Sequence, residues 1–149
     1  MITPELISRY PFFVNLKLED LILLADSAVG VTKEAGKYIF RQGDKLDQFY
    51  IVVEGAVGII RERYGKKDAV ISAVGPGHIF AWSTFINPHI ATASAKAFTT
   101  CWLLGFDRIK LQEAFEKDCR FGYRMMEIFV QIGRDRLMDA RIESFVFLA

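Results

Sequence analysis

Side chains suited to covalent or metal chemistry are sparse in this chain. Its only histidines are His78 and His89, and its only cysteines are Cys101 and Cys119. The cysteines lie far apart, outside any Cys-x-x-Cys spacing, and read as two reduced, buried thiols. No HExxH pair, Gly-rich phosphate loop or Ser-His-Asp order is present, so an enzyme is not expected. Non-covalent chemistry is better represented. Trp82, Ser83 and Thr84 stand in a stretch from Gly75 to Ala95 that contains no Asp, Glu, Lys or Arg. Such a stretch offers an aromatic face and neutral hydrogen-bonding groups, but no charge.

The frame that must position these residues shows in composition and periodicity. The 149 residues suit one domain, and 52% hydrophobic content with 13 Phe allows a large core and an interface as well. A formal net charge of +1 gives no excess of Lys and Arg for a phosphate backbone or an anionic membrane surface. Glu5 and Arg9 interrupt any signal-peptide pattern, and no apolar run approaches the roughly 20 residues that span a bilayer. The expectation is a soluble, cytoplasmic protein.

Three regions differ in periodicity. Before Ser27, with Pro11 as a break, Leu18, Leu21, Ile22 and Ala25 recur at i, i+3, i+4 and i+7 and predict an amphipathic helix. From Ala28 to Asp107, short runs rich in Val, Ile, Phe and Tyr alternate with Gly36, Gly43, Gly55, Gly65, Gly75 and Gly77. Candidate strands are Lys37 to Phe40, Gln48 to Val53, Val57 to Arg61, Ala69 to Ala73, Thr92 to Ala97 and Cys101 to Phe106, the pattern of a barrel or sandwich. Asp107 then suits an N-cap for a short helix with Leu111, Ala114 and Phe115 on one face. Glu113 with Lys117, and Glu116 with Arg120, are spaced as i,i+4 ion pairs. Asp118 suits the cap of a longer helix reaching about Phe145.

That longer helix carries two apolar stripes: Phe121, Met125, Ile128 and Ile132; and Met126, Phe129 or Val130, Gly133, Leu137 and Ala140. One stripe suffices to cover a sheet. The second predicts packing against a further helix, most simply that of a second copy, with Gly133 and Ala140 allowing close backbone approach. The alternative is a helix wholly buried in its own domain. The run Phe145 to Leu148 is apolar for a terminus, and either binds a protein partner or folds back on the domain.

The segment from Gly36 to Gly55 resembles the signature of cyclic-nucleotide-binding domains. The residues that carry the match are Gly36, Ile39, Phe40, Gly43, Asp44, Asp47, Tyr50, Ile51, Val52 and Gly55. Gly43 suits a tight turn and Gly55 a point where side chains are excluded, so both read as structural. The order of elements agrees, and the resemblance extends over nearly the whole chain, which looks similar to the sensor half of catabolite-activator-type regulators. It implies a mainly β fold: a double-stranded β-helix or jelly-roll β-roll plus a long C-terminal helix. The single domain over 1–149 then divides into N-terminal helices over 1–27, the roll over 28–106 and C-terminal helices over 107–149.

In that family a cassette between two strands holds the ligand. A Gly-Glu pair opens a short helix and takes the ribose, an Arg pairs with the cyclic phosphate, and backbone N–H groups complete the anion site. The corresponding ligand-binding positions here are Gly77, Ala81, Trp82, Ser83, Thr84, Ala91 and Thr92, with Ala81-Trp82 at the Gly-Glu position and Ala91, or Ile90 if the register slips by one, at the Arg position. Neither the ribose acceptor nor the phosphate cation is present. Trp82 either stacks on a planar ligand or fills the nucleotide's space. Ser83 and Thr84 suit caps of the short helix, His89 a solvent-exposed loop, and Lys96 a surface charge, while His78 has no assigned role. The cofactor implied is a cyclic nucleotide such as cyclic AMP, bound weakly, or an atypical small ligand in its place. The expected function is a regulatory, signal-transducing domain that acts through the long helix about a hinge near Phe115 to Phe121. The alternative is a ligand-free interaction module with a closed pocket. The expected partners are a second copy of the chain and another protein. No helix-turn-helix segment is present for direct nucleic-acid binding.

Overall fold

Eight strands arrange themselves in two four-stranded antiparallel sheets in a computed structural model that describes residues 1–148, with side chains through residue 140. The strands are β1 (Ala28–Lys33), β2 (Tyr38–Phe40), β3 (Gln48–Glu54), β4 (Val57–Arg61), β5 (Ala69–Val74), β6 (Ile79–Phe80), β7 (Ser94–Ala97) and β8 (Cys101–Asp107). One sheet has the order β1-β8-β3-β6 and the other β2-β7-β4-β5. Helices flank the roll: α1 (Pro4–Ser8) and α2 (Leu18–Ser27) before it, α3 (Arg108–Lys117) and α4 (Cys119–Leu148) after it. This is the jelly-roll fold with a long C-terminal helix. The six strand segments read from glycine-punctuated apolar runs all form. The two-residue β6 is too short for such a pattern, and β1 buries none of its residues fully.

Two apolar clusters divide the interior. Between the sheets, Val52, Val57, Val74, Phe80, Ala95, Ala97, Cys101 and Leu103 pack together. On the helix side, Phe49, Ile51, Ile79, Leu104 and Phe106 meet Leu24 of α2, Leu111 of α3, and Phe121, Met125 and Phe129 of α4. Alternation along β3 sends Phe49 and Ile51 to the helices, and Tyr50 and Val52 into the roll. Two glycines with left-handed backbone sharpen its corners, Gly43 at φ +92° and Gly55 at φ +93°. A Cβ on Gly55 would come 2.5 Å from the Thr100 carbonyl oxygen, so side chains are excluded there.

The helices differ from their sequence reading in several details. In α2, Leu18 and Ile22 point outward, and the buried face is Leu24 and Ala25 with Asp20 and Ser27. The Asp20 carboxylate turns back to accept from the Lys17 N–H at 3.0 Å, so a polar residue of the first turn is buried on the inward face. Asp107 caps α3 through the Lys110 N–H, and Asp118 accepts from the N–H groups of Arg120 and Phe121. The anticipated pairs Glu113 with Lys117 and Glu116 with Arg120 are absent from the ion pairs of the described residues. The second of these straddles the break between α3 and α4. Cys101 is buried as expected, but Cys119 is exposed because it opens α4.

The first stripe of α4 covers the roll: Phe121 and Met125 are buried, and Ile128 and Ile132 are half-buried against the same cluster. Phe129 joins this inward face, so the second stripe runs through Val130. Met126, Val130 and Leu137 are all exposed. The side chains of Phe145 to Leu148 lie outside the described residues, so the reading of an apolar terminus finds no test here.

Candidate functional site

The neutral stretch from Gly77 to Thr92 folds as a loop pinned at both ends by backbone hydrogen bonds. At its start Gly77 has φ +84°, and its N–H donates to the Val52 carbonyl at 2.7 Å. At its end Ala91 is buried and clamped to the β2–β3 turn. It donates to the Asp44 carbonyl at 2.8 Å, and its own carbonyl accepts from Gly43 at 2.9 Å. Thr92 is exposed, and its carbonyl accepts from the Arg61 guanidinium of β4 at 3.2 Å. Arg61 thus brings a cation to the end of a segment that has none of its own. Nothing in the spacing of the sequence marks it.

A short 3-10 turn, Trp82–Phe85, crosses the middle of the loop. Ala81 holds its N-cap position in left-handed backbone at φ 62° with no side-chain cap, so Ser83 and Thr84 do not serve as caps. Thr84 is fully buried and its hydroxyl donates to the Leu46 carbonyl at 2.9 Å. His89 is also no free loop residue. It is half-buried, and its Nδ1 lies 2.6 Å from the Thr84 carbonyl. A carbonyl only accepts, so that nitrogen carries the proton. The His89 carbonyl accepts from the Leu46 N–H at 2.7 Å. Thr84, His89 and Leu46 therefore lock the loop to the strand connection beneath it.

Trp82 leaves this turn toward α4 and packs against the helix-side cluster. A Cβ on Gly133 would lie 3.3 Å from the indole Cη2. The missing side chain of Gly133 therefore makes room for Trp82 of the same chain, which corrects its reading as a site of close approach between two helices. One turn further on, Arg136 donates to the Ile79 carbonyl at the outer edge of β6. Burial pushes its guanidinium pKa down from the usual arginine value. Arg136 was not singled out in the sequence, although its i+3 spacing from Gly133 puts both on one helix face.

Beneath the loop the roll is filled. The rings of Phe40, Tyr50 and Phe80 stack with centroids 5.0 to 6.3 Å apart, and Ala81 packs on the same cluster. Lys96 is half-buried and lies over the Tyr38 ring at 5.3 Å. Of the seven ligand-contact positions expected from sequence, the loop brings Ala81, Trp82, Ser83 and Thr84 together on one turn. Gly77, Ala91 and Thr92 serve as its anchors. Among the described residues no group of three or more His, Cys, Asp or Glu is placed to hold a metal ion. No helix among them is long and apolar enough to cross a membrane.

Comparison with known proteins agrees with this architecture. The family model "Cyclic nucleotide-binding domain" matches residues 31–118. The cyclic AMP receptor protein of Thermus thermophilus is 30% identical over 98 residues, 66% of this chain and 45% of that protein. The cAMP-dependent protein kinase regulatory subunit of Dictyostelium discoideum is 28% identical over 102 residues, 65% of this chain and 31% of the relative. The chain thus spans about a third to a half of the length of these curated relatives. A candidate cyclic nucleotide-binding protein from Geobacter metallireducens, solved by crystallography, superposes with a TM-score of 0.83 at 28% identity, covering 92% of this chain and 99% of that one.

Proposed function

This chain belongs to the cyclic nucleotide-binding domain family, and we propose that it is a non-catalytic sensor domain whose cassette binds a cyclic nucleotide weakly or takes an atypical, uncharged planar ligand, signalling through α4. The observation that carries this reading is the contact of Trp82 with Gly133. At the position where the resemblance calls for a ribose-binding carboxylate, an indole spans the gap between cassette and helix. The Phe40, Tyr50 and Phe80 stack occupies the roll beneath it. With Ala91 buried at the position of the phosphate-binding arginine, the cassette itself supplies only backbone N–H groups and hydroxyls to an anion. Losing a charge-assisted bidentate contact weakens a site built around it by several kcal/mol.

A ligand that enters must displace or stack on Trp82, and so acts directly on the packing of α4. It shifts the helix only through different affinities for two helix positions. Isothermal titration with cyclic AMP and cyclic GMP tests the reading. The expected result is binding weaker than low micromolar, and a dissociation constant in the low micromolar range or tighter would overturn it. Thermal-shift screening of uncharged planar metabolites tests the second half, with stabilisation by at least one of them expected.

The exposure of Met126, Val130 and Leu137 favours a homodimer along α4. With Ala140 they fall at steps of four, seven and three, compatible with the heptad spacing of a two-helix seam. The same exposed face serves the alternative reading, a closed-pocket module that binds another protein. A monomer at tens of micromolar by light scattering would leave that alternative standing and remove the dimer.

A further inference from the structure

A different face of α4, turned away from Trp82, borders a cleft of about 530 Å³. Arg124, Glu127, Ile128, Gln131 and Asp135 recur at helical spacing along one wall. The chain from Pro11 to Leu16 and the Gly77–His78 turn close the others. The volume falls in the range of about 300–1,000 Å³ that takes small organic molecules.

Three features define its chemistry. Leu16, which is buried, and Phe12 and Ile128, which are half-buried, give it an apolar lining. Arg124 has its Nε sealed from solvent with no hydrogen-bond partner, and its guanidinium joins no ion pair among the described residues. A ligand carboxylate would meet the part of the guanidinium that lines the cleft through a charge-assisted bond. Glu127 and Asp135 supply negative charge on the same wall. Glu127 forms no ion pair with Arg124 one turn away, and Asp135 holds only its exposed neighbour Arg134 at 3.3 Å. These carboxylates disfavour a plain dianion and accept an ammonium.

We propose that this cleft, which borders the cassette only at Gly77, is a second binding site for a small zwitterion with an apolar side group, of which a free aromatic or branched amino acid is the simplest case. The ligand carboxylate meets Arg124, its ammonium meets Glu127, and its side group lies on Phe12 and Ile128. Because the cleft joins α4 to the N-terminal turn, occupancy fastens the helix to the roll from the side opposite Trp82.

The probes are L-phenylalanine and L-leucine, titrated into the full chain and followed by two-dimensional NMR. Saturable binding is expected at millimolar concentration or below, with shifts at Phe12, Arg124 and Ile128. The N-acetyl and carboxamide derivatives of each amino acid should bind at least tenfold more weakly. Arg124→Gln should abolish binding while the thermal melt shows the variant folded, and Glu127→Gln should weaken it severalfold. No saturable binding at millimolar concentration would overturn the proposal. So would equal binding of the capped derivatives, tighter binding of succinate, or binding that survives Arg124→Gln. Titration with cyclic AMP is read separately, since neither outcome at the cassette bears on this cleft.

Discussion

Arg108, the first residue of α3, reaches back to Asp47 at the foot of β3, with Nη2 2.9 Å from Oδ1. The Arg108 N–H also donates to the Asp47 carbonyl at 2.9 Å, so backbone and side chain both tie the end of the roll to the start of the helical segment. The arginine side chain is only 8% exposed whereas the aspartate is 56% exposed, so the cation is the buried partner. Asp47→Ala removes its counter-charge and leaves Gln112 as the remaining side-chain acceptor. The expected loss is about 1–3 kcal/mol, read from the urea midpoint. A midpoint within a few tenths of a molar of the wild type would show that solvent compensates fully.

The fit of Trp82 on Gly133 predicts coupling between the two positions. In a helix interior, Gly to Ala stabilises by about 1 kcal/mol where space permits. With Trp82 in place the added methyl is tight, so Gly133→Ala should gain clearly less than that or lose stability. In a Trp82→Ala background the full gain should return. Additive effects in the double-mutant cycle would mean that the indole does not rest on this glycine.

Stability should fall at alkaline pH. Burial, reinforced by the charge of Asp47, holds the Tyr50 phenol above its ordinary pKa of 10.0, and burial does the same to Tyr10. A raised folded-state pKa means that the folded chain keeps its proton longer than the unfolded one. The contribution is therefore complete below pH about 10 and is lost as the pH climbs through the folded value. Tyr50→Phe should flatten the decline in denaturation curves taken above pH 9.5 or so. An unchanged slope in that variant would assign the decline elsewhere.

The two thiols should separate kinetically. Cys119 is exposed and Cys101 is 1% exposed, so a thiol reagent should label one site at once and the second only on unfolding. Two equally fast reactions would place Cys101 at the surface.

Val130→Glu puts a charge on the exposed seam of α4, where Val130 is 71% exposed. The far-ultraviolet circular dichroism and melting temperature should barely change, since surface substitutions cost within about 0.5 kcal/mol. The proposed dimer should give way to a monomer by light scattering. An unchanged mass would move the interface elsewhere.

What the sequence disclosed follows from the range of the interactions involved. Strands bounded by glycine, the caps Asp107 and Asp118, and the inward stripe of α4 are set by neighbours within a few residues, and these were legible. The α2 face was misread because Leu18 and Ile22 obey the helical period while facing solvent, and the buried Asp20 breaks the apolar pattern. The contacts that define the site, Trp82 to Gly133 and Arg136 to Ile79, and the tie of Arg108 to Asp47 join distant segments. No spacing rule reports those. The absence of charge from Gly75 to Ala95 was legible, but the filling of the roll by Phe40, Tyr50 and Phe80 emerged only from the packed rings.

The length of α4 gives it the geometry of a lever. Its 30 residues extend about 45 Å as an uninterrupted rod from the joint at Asp118. A tilt of about 10° at that joint sweeps the far end through roughly 8 Å, well over one helical pitch. Gly133, where Trp82 rests, lies about halfway along the rod, so any shift of the helix there would be roughly doubled at the far end, a mechanical advantage inherent in the geometry of the rod.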